Sequence, residues 1–194
     1  LSSPDNLLLD TLNLTKWSGP APVAARSDGY FDITDNDVGS HAVRQQYVAS
    51  PQVGATYTAV WRVKKDSVPR TTRAPMFYLY CEGGTAKGSS VVLDTMTGEF
   101  TTISGGMTDN YGVIDAGSYW LVWTENTVEA GHTALRTIMY PGYAGGANWT
   151  VNIGNTGTIA VSRPQVFLGR FMARARVSLD VRGDFSWAAF FMVA

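Results

Sequence analysis

Several acidic residues are candidates for glycoside cleavage, a reaction that needs two carboxyl groups on either side of the scissile bond. Glu82, Glu99, Glu125 and Glu129 are available for this role, together with several aspartates. Only the fold can bring such residues together, and no motif groups them in the sequence. Solvated surface charge is therefore the favoured interpretation of these carboxylates.

Nucleophilic hydrolysis would need a serine or cysteine beside a histidine base. The chain has one cysteine, Cys81, and two histidines, His41 and His132, and it contains no Gly-x-Ser-x-Gly motif. Residues 83–89 resemble a phosphate-binding loop only superficially, because Lys87 precedes the last glycine and no helical pattern follows. We predict a hairpin loop at this position and expect a protein that is not an enzyme.

Oxygen donors crowd one segment that contains Asp28, Asp32, Asp35, Asn36 and Asp37. Carboxylate and amide oxygens are calcium ligands, but this spacing matches no known calcium loop. Asp and Asn also stabilise turns by bonding to nearby backbone groups, and that is the favoured interpretation. Zinc ligands are scarce in a chain with one cysteine and two histidines. We therefore predict neither a metal ion nor another cofactor.

The loop at residues 140–149 is the leading candidate for a glycan-binding site. Tyr140, Tyr143 and Trp149 supply aromatic planes on which the C–H faces of a sugar can pack, and Asn148 supplies an amide for its hydroxyls. Glycine and alanine between them leave room for a ligand. The alternative is that these aromatic residues close the end of the core as lids, which is the commoner role of large aromatic side chains.

The last residues of the chain are almost wholly apolar. The aromatic residues among them are Phe185, Trp187, Phe190 and Phe191. On a monomer they would expose a large apolar patch, and such patches usually mark an interface. We predict self-association or docking on another subunit, with folding back onto the chain's own core as the alternative. Residues 170–194 are accordingly assigned to a C-terminal assembly arm or hairpin, and residues 1–169 to the main domain.

Composition restricts the partners further. The chain has 194 residues, of which 45% are hydrophobic and 16% charged, and this suits one globular domain with its own core. A formal net charge of -1 provides no long-range attraction to phosphate backbones or anionic lipids. No apolar run approaches the roughly 20 residues that span a bilayer. We expect neither nucleic acid nor membrane as a partner.

Short runs of β-branched and aromatic residues, separated by turn-forming residues, predict strands almost throughout. In residues 56–64, Tyr57, Ala59, Trp61 and Val63 alternate with mostly polar residues, which predicts one buried and one solvated face. The other predicted strands are 7–9, 30–34, 42–48, 76–81, 90–94, 99–103, 118–125, 133–140 and 158–167. Strands of this length and spacing predict an all-β fold, an antiparallel β-sandwich.

Two local patterns refine this prediction. Residues 94–98 end in a glycine that suits a tight turn, so the strands on either side of the turn are predicted to pair as an antiparallel hairpin. Trp120 and Trp123 have opposite parity along one strand, so one of the two should point outward.

Several segments occur in a distinctive order: NLLL at 6–9, WS at 17–18, GATYT and WRVKK within 54–65, VLDTMTG at 92–98, AGSYWLV at 116–122 and RPQVFLG at 163–169. Over residues 5–169 this order resembles the jelly-roll, carbohydrate-binding-module-like domains of bacteriophage tail, tailspike and other virion proteins. Residues 170–194 have no counterpart in that pattern and form a C-terminal extension to it.

The resemblance implies a jelly-roll fold and a virion location. It also implies a non-enzymatic virion structural protein, in the tail or on the surface, that binds a host glycan and assembles with other virion subunits. A homo-oligomer is expected, with a trimer as the first expectation. Two alternatives stay open at this point: a capsid decoration or cement protein, and a carbohydrate-binding module of, or itself, a polysaccharide-degrading enzyme.

Overall fold

The computed structural model describes residues 6–8, 10–39, 42–48, 50–67, 75–102, 110–143 and 156–171. A 3-10 turn at Leu14–Lys16 precedes the first strand. The strands are β1 (Val23–Ala25), β2 (Phe31–Asp35), β3 (Arg44–Val48), β4 (Thr56–Lys64), β5 (Met76–Glu82), β6 (Lys87–Leu93), β7 (Phe100–Thr101), β8 (Tyr111–Asp115), β9 (Tyr119–Thr127), β10 (Ala134–Tyr140) and β11 (Gly157–Leu168). No helix in this part of the chain is long and apolar enough to cross a membrane.

The strands form two antiparallel sheets that pack face to face. The six-stranded sheet has the order β1-β2-β11-β4-β9-β8, and the five-stranded sheet has the order β3-β10-β5-β6-β7. Four strands of each sheet, β2-β11-β4-β9 and β3-β10-β5-β6, have the order of a jelly roll, while β1, β8 and β7 extend its edges. The predicted all-β antiparallel sandwich is confirmed.

The main core lies between the two sheets. Tyr57, Ala59, Trp61 and Val63 on β4 all belong to it, as their alternation predicts. Trp61 is fully buried and packs against Phe77 of the opposite sheet, with ring centroids 5.5 Å apart. Inward-facing apolar residues on each strand therefore hold the two layers together by removing apolar surface from water.

The other face of β4 differs from the prediction, because it is not fully solvated. A second apolar cluster covers it on the outside of the six-stranded sheet, formed by Val60, Leu121, Trp123, Phe167 and Phe171. Trp120 and Trp123 do point to opposite faces. Trp120 faces the main core. Trp123 stacks on Phe171 with the ring centroids 4.9 Å apart, and it is only 7% exposed. The prediction that one of the two points outward is therefore confirmed, and Phe171, which follows β11, covers the outward Trp123.

The predicted hairpin is confirmed, since β6 pairs with β7 in antiparallel register through Val92 with Thr101 and Leu93 with Phe100. Residues 7 and 8 do not form a strand, although Leu7 donates a backbone hydrogen bond to Val166. β1 and β8 are absent from the predicted strands. Both are short edge strands, and pairing with a neighbouring strand stabilises them more than their own residue preferences do.

A close packing contact accounts for the glycine at residue 112 on β8. Gly112 lies opposite Trp123, and a Cβ atom at this position would fall 2.9 Å from the indole Nε1. We expect Gly112→Ala to displace Trp123 from Phe171 and to lower the free energy of unfolding by about 1–3 kcal/mol, measured by urea denaturation. Ser118→Ala, at an exposed position on the same hairpin, is the control. Equal stability of the two variants would contradict this packing.

Candidate functional site

The residues of the predicted glycan-binding loop have different environments. Tyr140 ends β10, and Tyr143 follows it with its ring at 6.1 Å in an edge-to-face contact. Tyr143 is 1% exposed and packs with Met76 and Val92, which favours the core-lid alternative for this residue. Asn148 and Trp149 lie outside the described residues. Glycan binding by these four residues as a group stays a prediction.

The predicted interface residues, Phe185, Trp187, Phe190 and Phe191, also lie outside the described residues. Self-association through them stays a prediction.

In the acidic segment for which calcium binding was considered, the carboxylates bond to basic side chains and to backbone groups. Arg26 bonds to Asp28 at 3.0 Å and to Asp32 at 3.1 Å, and Lys64 bonds to Asp28 at 2.5 Å. Hydrogen bonds from Arg26 and then Lys64 hold the pKa of Asp28 well below its ordinary value. No group of three metal-ligating side chains occurs in the residues that the structure describes.

Asp35 and Asp37 have the turn-stabilising role that the sequence favoured. Asp35 is 1% exposed and accepts hydrogen bonds from the backbone of Asp37 and Ala42, at 3.1 Å and 3.0 Å. Asp37 accepts one from the backbone of Gly39 at 2.8 Å.

His132 also has a structural role. Its Nδ1 accepts a hydrogen bond from the backbone of Glu129 at 2.8 Å, so Nε2 carries the proton that it donates to the carbonyl of Thr85 at 2.9 Å. Thr85 lies in the loop between β5 and β6, whose pairing of Cys81 with Lys87 confirms the predicted hairpin. His132 joins two loops and has no free nitrogen for base catalysis.

A cluster that the sequence did not single out lies on the outer face of the five-stranded sheet. Inward residues of β5 and β10 fill the core, so the residues between them point outward on the same sheet face. We name this cluster the tyrosine platform and define it by six residues: Gln45, Tyr47, Tyr78, Tyr80, Glu82 and Arg136. Tyr140 lies on the same face of β10, so the predicted loop begins at the platform's edge.

Arg136 lies at the centre of the platform, opposite Tyr47 on one side and Tyr80 on the other. Its guanidinium carbon is 5.9 Å from the Tyr47 ring centroid and 5.1 Å from the Tyr80 ring centroid, within the range of cation–π attraction. It also bonds to Gln45 at 2.9 Å and to Glu82 at 2.8 Å. Through these contacts, Arg136 fixes the platform residues of β3 relative to those of β5.

The two ends of the platform differ in exposure. Tyr47 is 48% exposed, and its hydroxyl lies 3.4 Å from Glu82. Tyr78 is 4% exposed, and its ring lies 5.2 Å from that of Tyr80. Gly88 makes room for it, because a Cβ atom at residue 88 would overlap the Tyr78 ring. Tyr78 is therefore a buried member of the platform beside Tyr80, while Tyr47 presents a surface to solvent.

The platform offers aromatic rings, hydroxyls, an amide and a neutralised ion pair. Such groups can stack on the C–H faces of a sugar and bond to its hydroxyls. Among the outward residues of β3, β10, β5 and β6, Glu82 is the one carboxylate, whereas Glu125 lies on the outer face of the opposite sheet. Two tyrosines at alternate positions, Tyr78 and Tyr80, are the sequence signal for this face, but its other members come from strands far apart in sequence.

No family model matches this sequence, and no curated protein matches it. The fold is similar to a solved structure, the crystal structure of the enzymatically active domain of tailspike protein 4 of bacteriophage CBA120. The TM-score is 0.48 at 11% sequence identity, and the match covers 87% of this chain and 22% of the tailspike chain. The present chain thus spans about a fifth of that chain's length. A likeness at this level does not establish a shared activity.

Burial raises the pKa of the Tyr78 phenol far above its ordinary value, with smaller contributions from Tyr80 and Tyr140. A raised pKa in the folded state contributes stability that is complete below the unfolded pKa of 10.0 and is lost as pH rises above it. Between pH 10 and 11 we expect the free energy of unfolding to fall, and Tyr78→Phe to reduce this fall by up to about 1.4 kcal/mol.

Urea denaturation at pH 8, 9, 10 and 11 measures this difference. Tyr111→Phe, which removes the hydroxyl of an exposed tyrosine, is the matched control. An identical pH dependence in the two variants would show that the Tyr78 phenol is not buried as described.

Proposed function

We propose that this chain is a non-enzymatic β-sandwich of a virion structural protein, in the tail or on the surface, and that it binds a host glycan through the tyrosine platform. The observation that carries the proposal is the arrangement of Tyr47 and Tyr80 on either side of Arg136 on one sheet face. The virion assignment rests on the order of sequence segments that resembles virion jelly rolls.

The contacts of the platform support a glycan as its ligand. Sugar recognition needs flat apolar surface beside groups that donate and accept hydrogen bonds, and Tyr47 provides both at 48% exposure. The ion pair between Arg136 and Glu82 fixes the polar groups before a ligand arrives, which lowers the entropy cost of binding. Because the two charges compensate each other, the platform suits a neutral glycan.

The same contacts support a binding role without catalysis. Cleavage of a glycosidic bond by the usual mechanisms needs two carboxyl groups, and the outward positions of β3, β10, β5 and β6 supply Glu82 alone. Glu82 is further engaged by Arg136 at 2.8 Å, so this one carboxylate is held in an ion pair within the platform.

Assembly through residues 170–194 is the second part of the proposal. Phe171 is the one residue of the described chain beyond Arg170, and its ring stacks on Trp123 while its backbone N–H bonds to Glu125 at 2.6 Å. The platform lies on the five-stranded sheet, whereas Phe171 is anchored on the six-stranded sheet.

Removal of the two rings of the platform tests glycan binding. We expect Tyr47→Ala combined with Tyr80→Ala to weaken binding to a neutral bacterial surface polysaccharide by about tenfold or more, since each stacked ring contributes roughly 0.5–1.5 kcal/mol. A panel of purified polysaccharides identifies the ligand of the unaltered protein, and affinity electrophoresis or calorimetry measures the change.

Tyr111→Ala is the matched control, because Tyr111 is a 36% exposed tyrosine whose ring contacts Phe100 away from the platform. It should bind as the unaltered protein does. Equal binding by the double variant, or no binding of any polysaccharide by the unaltered protein, would overturn the proposal.

A further inference from the structure

A pocket of about 230 Å³ lies on the other sheet, beside the turn that joins β1 to β2. Its size suits one monosaccharide-sized group, since pockets for larger ligands start near 300 Å³. The residues of this pocket that matter for binding are Thr11, Leu12, Arg26, Tyr30, Phe31 and Arg163. They combine apolar walls with guanidinium and hydroxyl groups.

The pocket has excess positive charge. Arg26 and Lys64 neutralise Asp28 and Asp32 through ion pairs. Two further guanidinium groups lie close to these ion pairs. Arg62 bonds to the Tyr30 hydroxyl at 2.9 Å, and Arg163 lines the pocket and has no ion-pair partner among the described residues. Since Arg163 is exposed and lines the pocket, its charge is available to a ligand.

The backbone at Arg163 is unusual and points to a function. Its φ of 47° lies in the left-handed region, which is unfavourable for residues other than glycine. This conformation occurs at a bulge, where the pairing of β11 with β4 shifts between Ser162 and Gln165. Bulges turn side chains out of the regular alternation and are common beside binding sites. An arginine held here brings a guanidinium to the pocket at a cost in backbone energy.

We propose that this pocket binds the carboxylate of an acidic sugar residue, with Arg163 as the anchoring cation. The fork of the guanidinium matches a carboxylate, and Leu12 and Phe31 offer apolar surface to the sugar ring. The sugar part of this assignment rests on the proposed glycan-binding function, whereas the anion-binding part depends only on the pocket. The pocket is separate from the tyrosine platform, which lies on the opposite sheet.

An NMR titration of the full chain with D-glucuronate, D-glucose and inorganic sulfate tests the proposal at low ionic strength. We expect glucuronate to bind at least about tenfold more tightly than glucose or sulfate. Arg163→Gly should weaken glucuronate binding by about tenfold or more without lowering the midpoint of thermal unfolding, because glycine adopts a positive φ freely. Arg163→Ala should give the same loss of binding if the glycine variant fails to fold.

The outcomes separate this pocket from the platform. Tyr47→Ala with Tyr80→Ala should leave glucuronate binding unchanged, so the pocket can be supported even if the platform binds no polysaccharide. Equal affinity for glucose would overturn the role of the carboxylate, and equal affinity for sulfate would overturn the sugar assignment. Unchanged glucuronate binding by both Arg163 variants would overturn the pocket itself.

Discussion

The pairing register of β4 is the constraint on which the rest of the molecule depends. β4 pairs with β9 through nine consecutive positions from Thr56 to Lys64, and with β11 on its other side. Trp61 then points into the space between the sheets and fixes their separation through Phe77. Because side chains alternate, a slip of one residue would move Trp61 to the outer face. Register therefore decides which residues are core and which can contact a ligand.

The same rule determines the outer faces. Phe77, Leu79 and Cys81 fill the core, so Tyr78 and Tyr80 are directed to the opposite side of β5. Each outer face holds an arginine close to two tyrosine rings. Arg136 lies between Tyr47 and Tyr80 on one sheet, and Arg62 lies between Tyr30 and Tyr119 on the other, at 5.3 Å and 4.0 Å. The two arginines differ in whether a carboxylate neutralises their charge, because Glu82 forms an ion pair with Arg136.

The two proposed sites differ in charge, and we expect them to take different ligands. The platform is preorganised and neutral in charge, and it suits a glycan that contributes stacking and hydroxyl contacts. The pocket near Arg163 is small and positively charged, and it suits a single carboxylate. A glycan with both neutral and acidic residues would provide a ligand for each site, although each site is defined by its own residues.

Sequence patterns predicted the layers better than the surfaces. The buried face of residues 56–64 and the turn at residues 94–98 follow from local patterns, and both predictions are confirmed. The cover over Trp123 was missed because it comes from Phe171, which follows a different strand. The platform was missed for a similar reason, since Tyr47, Tyr80 and Arg136 become neighbours only through pairing across β3, β10 and β5. Strand order, which the local pattern does not encode, decides such contacts.

Chemical-shift mapping of a bound neutral oligosaccharide is the most direct test of the central claim, that the tyrosine platform is the glycan-binding surface. We expect the largest shifts at Tyr47, Tyr80 and Arg136. Shifts confined to the outer face of the six-stranded sheet, for example at Tyr119 and Leu121, would contradict it.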